Sequence, residues 1–338
     1  MDSKSQSKII TSSCQYDCGA RCILKVHVED GKIVSINTDN AGMPGVTACP
    51  KGLLQKEVVY AKDRLLKPLR RVGPRGSGEF KSITWDEALG TVVTQLKRVK
   101  EKYGASSIFL MEGSGNQGPF RQADRRFFSM FGGYTTSYGS ASNEAARFSS
   151  PITFGTHFTG VSQDNFEYSK LLIMWGWNPV VTRFGSDMTY YLQKAKANGA
   201  KIISVDPRYT VSARALAGQW IPIKPGTDAA MLIAMAYVMI EENLCDYNFL
   251  EKFTVGFDKF KSYVTGDEDG IKKTPAWAEN ITGVLRETIK QLARDYATIK
   301  PAALFASWAA GRSAFGEQYH RAASTLAAMT GNIGIRGG

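Results

Sequence analysis

The sequence lacks any long apolar run. Its longest, residues 231–240, is far short of the ~20 residues that a helix needs to cross a bilayer, so the sequence predicts no direct membrane span. Residues 1–4 show neither an apolar segment behind a charged head nor paired arginines, and therefore no export signal. Two locations stay open: the cytoplasm, or the periplasm and the membrane surface for a form that has lost a leader.

Cysteine is also scarce, with five in 338 residues, yet four of them form a pattern. Cys14, Cys18 and Cys22 are each separated by three residues, and Cys49 follows much later with a proline directly after it. Three cysteines close together and one remote cysteine followed by proline are typical of ferredoxin-like [4Fe–4S] sites. The sequence therefore predicts a redox-active chain that binds one [4Fe–4S] cluster.

Two other interpretations of the cysteines stay open. A four-cysteine zinc site usually takes its ligands as two C-x2-C pairs, and this spacing is absent here, so the cluster is favoured over zinc. Disulfides are favoured less, because a chain of this length can build a core without them. Cys245 has no other cysteine near it in the sequence and is interpreted as a structural thiol at a helix end.

Positive charge is in excess. The formal net charge is +11 at pH 7, which favours acidic partners. Part of the excess lies in residues 62–75, where basic residues alternate with leucine and proline. A nucleic-acid surface would interleave basic residues with aromatic ones on a single face, so no nucleic-acid partner is expected. The pyrophosphates of a large cofactor or an acidic partner subunit account for the excess equally well.

The first half of the sequence predicts two kinds of structure. Residues 8–60 alternate short β-like runs with turns such as Asp30-Gly31, which indicates a small β-rich domain around the cluster. Thr84 and Glu87 form a capping box, which predicts a helix that runs to about Tyr103 and buries one apolar face. Residues 107–111 are predicted to form a buried strand.

A glycine-rich loop at residues 113–118 follows that strand and matches G-x-G-x-x-G. A strand before and a helix after are the context of a dinucleotide site, but no acidic residue ends a second strand about 20 residues further on, as NAD binding requires. A dehydrogenase linked to NAD or flavin therefore stays an alternative. Gly115 and Asn116 are candidate contacts to another phosphate or to a pterin group.

From residue 171 onward, strands and helices alternate and predict a parallel sheet. The predicted strands are residues 171–174, 201–205 and 220–223, and each ends at a polar cluster. In open parallel sheets, ligands bind outside the carboxyl ends of the strands. The three clusters are Trp177-Asn178-Pro179, Asp206-Pro207-Arg208 and Pro225-Gly226-Thr227-Asp228.

These clusters contain side chains that suit a nucleotide. Asp206 and Asp228 can each accept a pair of N–H donors, as from a purine edge, and Arg208 can hold a phosphate with two hydrogen bonds. Taken singly, Asp228 would more simply cap its helix and Arg208 would form a surface ion pair. Three clusters at three successive strand ends favour the nucleotide site.

These motifs occur together and in order: the four cysteines, Cys49-Pro50-Lys51-Gly52, Trp85-Asp86-Glu87-Ala88-Leu89 and the three strand-end clusters. In this combination the chain resembles the catalytic subunit of molybdopterin oxidoreductases of the dimethyl sulfoxide reductase family. The cysteine spacing is most similar to that of the anaerobic, membrane-associated reductases with three subunits. The resemblance implies a [4Fe–4S] cluster and molybdenum held by bis(molybdopterin guanine dinucleotide).

The resemblance also implies roles for residues. The four cysteines would bind the cluster, and Lys51 would bridge the cluster and the nearer pterin. Molybdenum would take Ser142 as its protein ligand, with Ser140 as the fallback, from a turn that contains no cysteine. Without the family, either serine would simply cap the helix that starts near Asn143. The residues implied to hold the guanine and phosphate end of one dinucleotide are Trp177, Asn178, Asp206, Arg208, Gly226 and Asp228.

The implied fold class is multidomain α/β: a small β-rich [4Fe–4S] domain followed by doubly wound parallel α/β domains. The expected segments are residues 1–62 for the cluster domain, 63–150 for the first part of domain II, 151–298 for the Rossmann-like domain III and 299–338 for a return into domain II. In the family, several hundred residues follow the segment at which this sequence stops, so a truncated chain is expected.

The expected function is the reduction of an S-oxide or N-oxide at molybdenum, a two-electron reaction with a small oxide substrate. Electrons would come from an iron–sulfur partner subunit through the cluster, with a membrane anchor subunit as a further partner. The alternative is a pterin-free relative with the same fold, which carries electrons or serves as a scaffold and performs no chemistry.

Overall fold

The computed structural model describes residues 7–16, 18–40, 43, 45–113, 122–185 and 187–338, and the chain divides into two compact units at residue 138. The four-segment division expected from the sequence is finer than this and stays a prediction. None of the helices in the described residues combines the length and the apolar character that crossing a membrane requires.

The described part of the first unit consists of short strands and four helices. In chain order these are β1 (Ser7–Ser13), β2 (Ile23–Glu29), β3 (Lys32–Thr38), α1 (Pro50–Leu53), α2 (Gln55–Val59), β4 (Leu69–Arg71), β5 (Phe80–Ser82), α3 (Trp85–Tyr103), β6 (Phe109–Leu110), α4 (Ala123–Phe131) and β7 (Thr135–Thr136). A 3-10 turn, Ala105–Ser107, lies between α3 and β6.

Strands β1, β2 and β3 form the antiparallel sheet that the sequence predicts for the cluster domain. The turn between β2 and β3 is Asp30-Gly31, and both residues have a positive φ, 48° and 78°. An Asp-Gly pair in this conformation closes a tight hairpin whose twist matches that of its strands. The hairpin β1–β2 ends next to Cys14 and Cys22, so the sheet brings the first and third cysteines to the same edge.

Helix α3 begins where the capping box predicts, and the Thr84 side chain accepts a hydrogen bond from the backbone N–H of Glu87 at 3.1 Å. The expected buried face was wrong: no residue of α3 is buried, and Leu89 and Val92 are 56% and 53% exposed. The buried strand expected at residues 107–111 was also wrong, because β6 is two residues long and Phe109 is exposed. Periodicity identifies the apolar face of an element but not whether a neighbour covers it.

The second unit contains the larger sheet. Its elements are α5 (Glu144–Phe154), β8 (Leu171–Trp175), α6 (Met188–Ala197), β9 (Lys201–Val205), α7 (Val211–Leu216), β10 (Gln219–Ile221), α8 (Asp228–Glu241), α9 (Tyr247–Phe253), α10 (Phe257–Thr265), α11 (Pro275–Thr282), α12 (Arg286–Thr298), β11 (Ala302–Ala306) and α13 (Glu317–Met329). A 3-10 turn, Gln163–Tyr168, precedes β8.

Four parallel strands in the order β10-β9-β8-β11 form the centre of this unit. Strand β8 is buried on both faces: Ile173 packs with the apolar residues of α8, α12 and α13, and Leu172 packs on the other face with Leu192 of α6. A parallel sheet covered by helices on both faces is the doubly wound architecture predicted from the sequence. The carboxyl ends of β8, β9 and β10 therefore lie side by side along one edge.

Candidate functional site

The cysteines of the first unit come together at the end of the β1–β2 hairpin. The backbone N–H of Cys14 donates to the carbonyl of Cys22 at 2.8 Å, and both side chains are buried. Cys18 lies in the loop between them and packs on the same small apolar group, which includes Leu24, Val26 and Ile36. Three of the four predicted ligands thus line one apolar pocket.

The fourth cysteine precedes α1, a helix that packs against the first cysteine. Cys49 is the N-cap residue of this helix, and its carbonyl accepts the N–H of Gly52 at 2.9 Å. Gly52 is buried, and a side chain on it would begin 3.4 Å from the sulfur of Cys14. The short helix therefore packs directly against the first cysteine.

The thiols and their apolar surroundings suit a cluster. All five cysteines of the chain are free thiols, so no disulfide competes for them. No group of three or more His, Cys, Asp or Glu side chains in the described ranges is close enough together to hold one metal ion. In a [4Fe–4S] cube each thiolate binds a different iron, so the sulfurs stand further apart than those around zinc. The donor set and the apolar pocket suit the cluster.

Lys51 lies in α1, beside the cysteine pocket. Its side chain is exposed, and its ammonium nitrogen lies 5.5 Å from the centre of the Tyr16 ring, a cation–π distance. Lys51 follows Cys49 by two residues, and its placement near the cluster stays a prediction. Its role as a bridge to a pterin stays a prediction.

In the second unit, two buried carboxyl groups lie at neighbouring strand ends. Asp206 follows β9 and is 8% exposed, and Asp228 begins α8 and is 5% exposed. The backbone N–H of Arg208 donates to Asp206 Oδ1 at 2.8 Å, and the indole N–H of Trp175 donates to Asp228 Oδ1 at 2.8 Å. The residue that caps α8 is Thr227, so Asp228 does not serve as the N-cap.

Burial sets the electrostatics of both carboxyls. Burial raises the pKa of Asp206, and the contacts with Arg208 lower it only in part. Burial likewise raises the pKa of Asp228, the hydrogen bond from Trp175 opposes this, and the nearby charge of Asp206 adds to the rise. Neither carboxyl forms an ion pair within the described part of the chain. A buried carboxylate is costly unless it receives donors, so this pair suits a ligand that brings N–H groups.

The Trp177-Asn178 cluster divides between the sheet edge and the core. The indole of Trp177 is buried and stacks on Phe305, with ring centres 3.8 Å apart. Its ring is therefore not available to a purine, and any contribution from Trp177 comes through its backbone. The amide oxygen of Asn178 accepts from the Ser212 hydroxyl at 2.6 Å, which leaves the amide N–H2 group as the possible ligand contact.

Arg208 and Gly226 complete the edge. Arg208 is exposed, and its guanidinium makes no ion pair with any residue that the structure describes, so the alternative of a surface ion pair is not observed there. Gly226 has a φ of 78°, which is strained for residues with a side chain, and it forms the tight turn into α8. Asp206, Asp228, Arg208, Gly226 and the backbone around Asn178 all lie at the predicted carboxyl edge.

The two candidate serine ligands lie in the turn before α5 and differ in how their hydroxyls are used. The Ser142 N–H donates to the Ser140 hydroxyl at 3.2 Å, so Ser140 is part of the turn. The Ser142 hydroxyl has no hydrogen-bond partner in the described residues, and its side chain is exposed. The N-cap of α5 is Asn143 and no side chain caps the helix, so neither serine acts as a cap.

The remaining predicted contacts cannot be placed. Gly115 and Asn116, from the glycine-rich loop, lie outside the described residues. One residue that the sequence did not single out does reach the site: Arg312, in the loop after β11, donates to the main-chain carbonyl of Ser142 at 2.8 Å. No local pattern marks this residue, because its partner is 170 positions away in the sequence.

Comparison with protein families assigns both parts of the chain. The family model described as molybdopterin oxidoreductase Fe4S4 domain matches residues 7–61, and the model described as molybdopterin oxidoreductase matches residues 64–338. The first match contains the four cysteines, and the second contains the strand-end clusters and both serines. A [4Fe–4S] cluster and a molybdopterin cofactor are the groups that these two domains hold.

Individual relatives agree with this assignment. The chain is 41% identical to dimethyl sulfoxide reductase DmsA of Escherichia coli K12, an alignment that covers 99% of the chain and 45% of the relative. It is 33% identical to trimethylamine-N-oxide reductase of Haemophilus influenzae, over 93% of the chain and 40% of that relative. Among solved structures, acetylene hydratase from Pelobacter acetylenicus matches with a TM-score of 0.78 and 28% identity, over 97% of the chain and 44% of that protein. The chain thus spans somewhat less than half the length of these relatives.

Proposed function

Since this chain belongs to the molybdopterin oxidoreductase family, we propose that it supplies the cluster domain and the first dinucleotide-binding part of the catalytic subunit of an S-oxide or N-oxide reductase. The cofactors that we propose are one [4Fe–4S] cluster and molybdenum carried by bis(molybdopterin guanine dinucleotide). Relatives named as dimethyl sulfoxide and trimethylamine-N-oxide reductases support this class of substrate.

The observation that carries the proposal is the Ser142 turn. The resemblance implies that this turn supplies the metal ligand; its Ser142 hydroxyl makes no hydrogen bond to a described residue, and residues 138–146 contain no cysteine. Oxygen is a hard donor, which suits a metal in a high oxidation state that exchanges oxygen atoms with its substrate. Serine ligation therefore favours an oxide reductase over a formate dehydrogenase.

The nucleotide end of one pterin would be held at the carboxyl edge of the sheet. The buried Asp206 and Asp228 would accept the N–H donors of the guanine edge, and the exposed Arg208 would hold a phosphate oxygen. These contacts would also satisfy the two buried carboxyls, neither of which forms an ion pair with a residue that the structure describes. Gly226 lets the turn approach the nucleotide closely because no side chain intervenes.

When bound, the molybdenum cofactor supplies two-electron oxygen-atom transfer, and the cluster supplies electron transfer in single steps. The protein's contribution is to hold both groups. Cys14, Cys18, Cys22 and Cys49 would hold the cluster, the first three of them within one small apolar group, and Ser142 would bind the metal. Lys51 would place a positive charge beside the cluster, which would stabilise added electrons.

We further propose that electrons reach the cluster from an iron–sulfur partner subunit, with a membrane anchor subunit as a third component. The pterin-free alternative, a scaffold or electron carrier with the same fold, is disfavoured by the strand-end residues. A pterin-free scaffold would not need two buried carboxyls that form no ion pair in the described residues, because apolar residues in their place would avoid the cost of burial.

The function is tested with the complete enzyme, purified without oxygen. We expect it to oxidise reduced viologen dye when dimethyl sulfoxide or trimethylamine N-oxide is added. The measurement is the loss of absorbance of the reduced dye. A second assay with formate and oxidised dye tests for formate dehydrogenase activity instead. Formate oxidation without any oxide reduction would contradict the proposed substrate class and leave the cofactor assignment standing.

A further inference from the structure

The loop of residues 307–316, here called the β11–α13 loop, contacts three turns of the second unit. Ala309 lies against the turn after β8, because a Cβ atom placed on Gly176 in this turn would be 3.5 Å from the Cβ of Ala309. Ser313 lies against the turn before α8, where a side chain on Gly226 would begin 3.7 Å from its Cβ. The third contact is with the Ser142 turn. One loop therefore connects the nucleotide edge of the sheet with the proposed metal ligand.

Arg312 makes the contact with the Ser142 turn. Its Nε donates to the main-chain carbonyl of Ser142 at 2.8 Å, a distance at which a charged donor forms a strong hydrogen bond. The same turn is closed from within by two further bonds: the Ser142 N–H donates to the Ser140 hydroxyl, and the Ser140 N–H donates to the Glu144 carboxylate at 3.0 Å. Arg312 is the contact that ties this closed turn to another part of the unit.

The base of Arg312 is held firmly. Gly311 and Gly316 are buried, and the carbonyl of Gly311 lies directly against Gly316, so the two ends of the turn are packed together. Gly311 also packs against the imidazole of His320 in α13 and lies near Ala145 in α5. A side chain larger than hydrogen would not fit at either glycine. Arg312 therefore extends from a backbone that is fixed between the two helices that flank the site.

His320 contributes packing without adding charge next to Arg312. It is 8% exposed, and its Nε2 has no hydrogen-bond partner among the residues described. Burial lowers the pKa of His320 to about 4, so the ring is neutral at neutral pH. Arg312 thus keeps its contact with the Ser142 carbonyl without repulsion from a second cation beside it.

We propose that Arg312 is a positioning residue that sets the direction of the Ser142 side chain, an inference that rests on the proposed function of Ser142 as the metal ligand. The bond from Arg312 fixes the Ser142 carbonyl and therefore the peptide plane that follows Ser142. The bond from the Ser142 N–H to Ser140 fixes the peptide plane that precedes it, so the backbone is held on both sides of the Ser142 Cα atom. The Cα–Cβ bond that carries the hydroxyl then points in one direction. Without Arg312 the turn samples several orientations, and the metal environment becomes heterogeneous.

The test uses the complete enzyme with Arg312→Gln and Arg312→Lys, and Arg321→Ala as the matched control. Arg321 is also an exposed arginine of this unit, but it contacts only Gln318 in its own helix within the described structure. For Arg312→Gln we expect a Mo(V) paramagnetic resonance signal that splits into more than one species, with molybdenum content and the cluster signal unchanged. We expect kcat to fall about tenfold to hundredfold, as for other groups that orient a metal ligand, with KM nearly constant. Arg312→Lys keeps a charged donor and should recover part of the single signal.

A single wild-type Mo(V) signal with wild-type kcat in Arg312→Gln would overturn the inference. A rise in KM alone would also overturn it, because this result indicates direct contact with substrate. If Arg312→Gln fails to fold, the lysine variant decides. A Mo(V) signal that contains the wild-type species together with at least one other species supports positioning, and a signal identical to that of Arg321→Ala refutes it. Ser142→Ala, measured alongside, separates the two proposals. If the Mo(V) signal changes in Ser142→Ala but not in the Arg312 variants, only the inference about Arg312 is rejected. If the Mo(V) signal of Ser142→Ala is unchanged, the assignment of Ser142 as the ligand is itself rejected.

Discussion

Replacing Cys18 with alanine in the complete enzyme is expected to abolish the [4Fe–4S] cluster or convert it to a form with fewer irons. Cys18 lies in the loop between Cys14 and Cys22 and is only partly buried, so the substitution removes a ligand with little loss of packing. Three thiolates leave one iron of the cube without its protein ligand. Iron and sulfide content per chain should fall below the wild-type value of about four each, and electron entry should be blocked.

The matched control is Cys245→Ala. Cys245 lies between α8 and α9, packs against the main core, and has its pKa raised to about 11 by burial, so it stays a protonated thiol. This variant should keep the full iron content and the wild-type visible spectrum. Full iron in Cys18→Ala, or equal iron loss in both variants, would contradict the cluster assignment. Zinc in place of iron in the wild type would favour the four-cysteine zinc site.

The second large effect is expected for Ser142→Ala. The cluster signal should stay intact, because the cysteines lie in the other unit, while the Mo(V) signal should change and turnover should fall by more than about hundredfold. Residues that only hold a metal ligand in place typically lower activity by about tenfold to hundredfold when they are replaced. Replacement of the ligand itself should therefore lower turnover by more than this. Paramagnetic resonance and the viologen assay measure the two quantities on the same sample.

Ser140→Ala is the control for this experiment. Its hydroxyl accepts the Ser142 N–H at 3.2 Å, so its removal loosens the turn without removing the proposed ligand. A smaller decrease in turnover than for Ser142→Ala is expected. If Ser140→Ala instead abolishes the Mo(V) signal and Ser142→Ala has no effect, Ser140 is the ligand.

Much of the fold was predictable because local chemistry determines it. The capping box at Thr84 and Glu87 placed the start of α3, and the apolar run at residues 201–205 matches β9. The fold class was confirmed as well, since a cluster domain followed by a doubly wound parallel sheet is what the structure and the family comparisons show. Alternation of strands and helices allows few topologies, which is why the class can be read from the sequence.

Burial was harder to predict than secondary structure. The apolar stripe of α3 and the run at residues 107–111 both predicted buried faces, yet Leu89 and Phe109 are exposed in the structure. Both patterns show only that these residues are apolar. Whether such a face is covered depends on contacts with distant segments, which a local pattern does not contain.

The candidate site divides in the same way. Asp206 and Asp228 were identified because their positions at strand ends follow from the topology. Trp177 belongs to the same cluster, but its ring points into the core and stacks on Phe305, a residue 128 positions later in the sequence. Arg312 was not singled out from the sequence for the same reason, since its hydrogen bond to the Ser142 carbonyl joins distant segments.

The central claim is that this chain forms part of an enzyme that binds both an iron–sulfur cluster and a guanine-bearing molybdopterin. The most direct test is the determination of iron, molybdenum and guanine in one sample of the complete wild-type protein, purified without oxygen. The account predicts about four irons, one molybdenum and two guanines for each catalytic chain. The iron value is that of one [4Fe–4S] cluster in the chain. Iron without molybdenum or guanine would contradict the claim and identify the protein as an iron–sulfur scaffold.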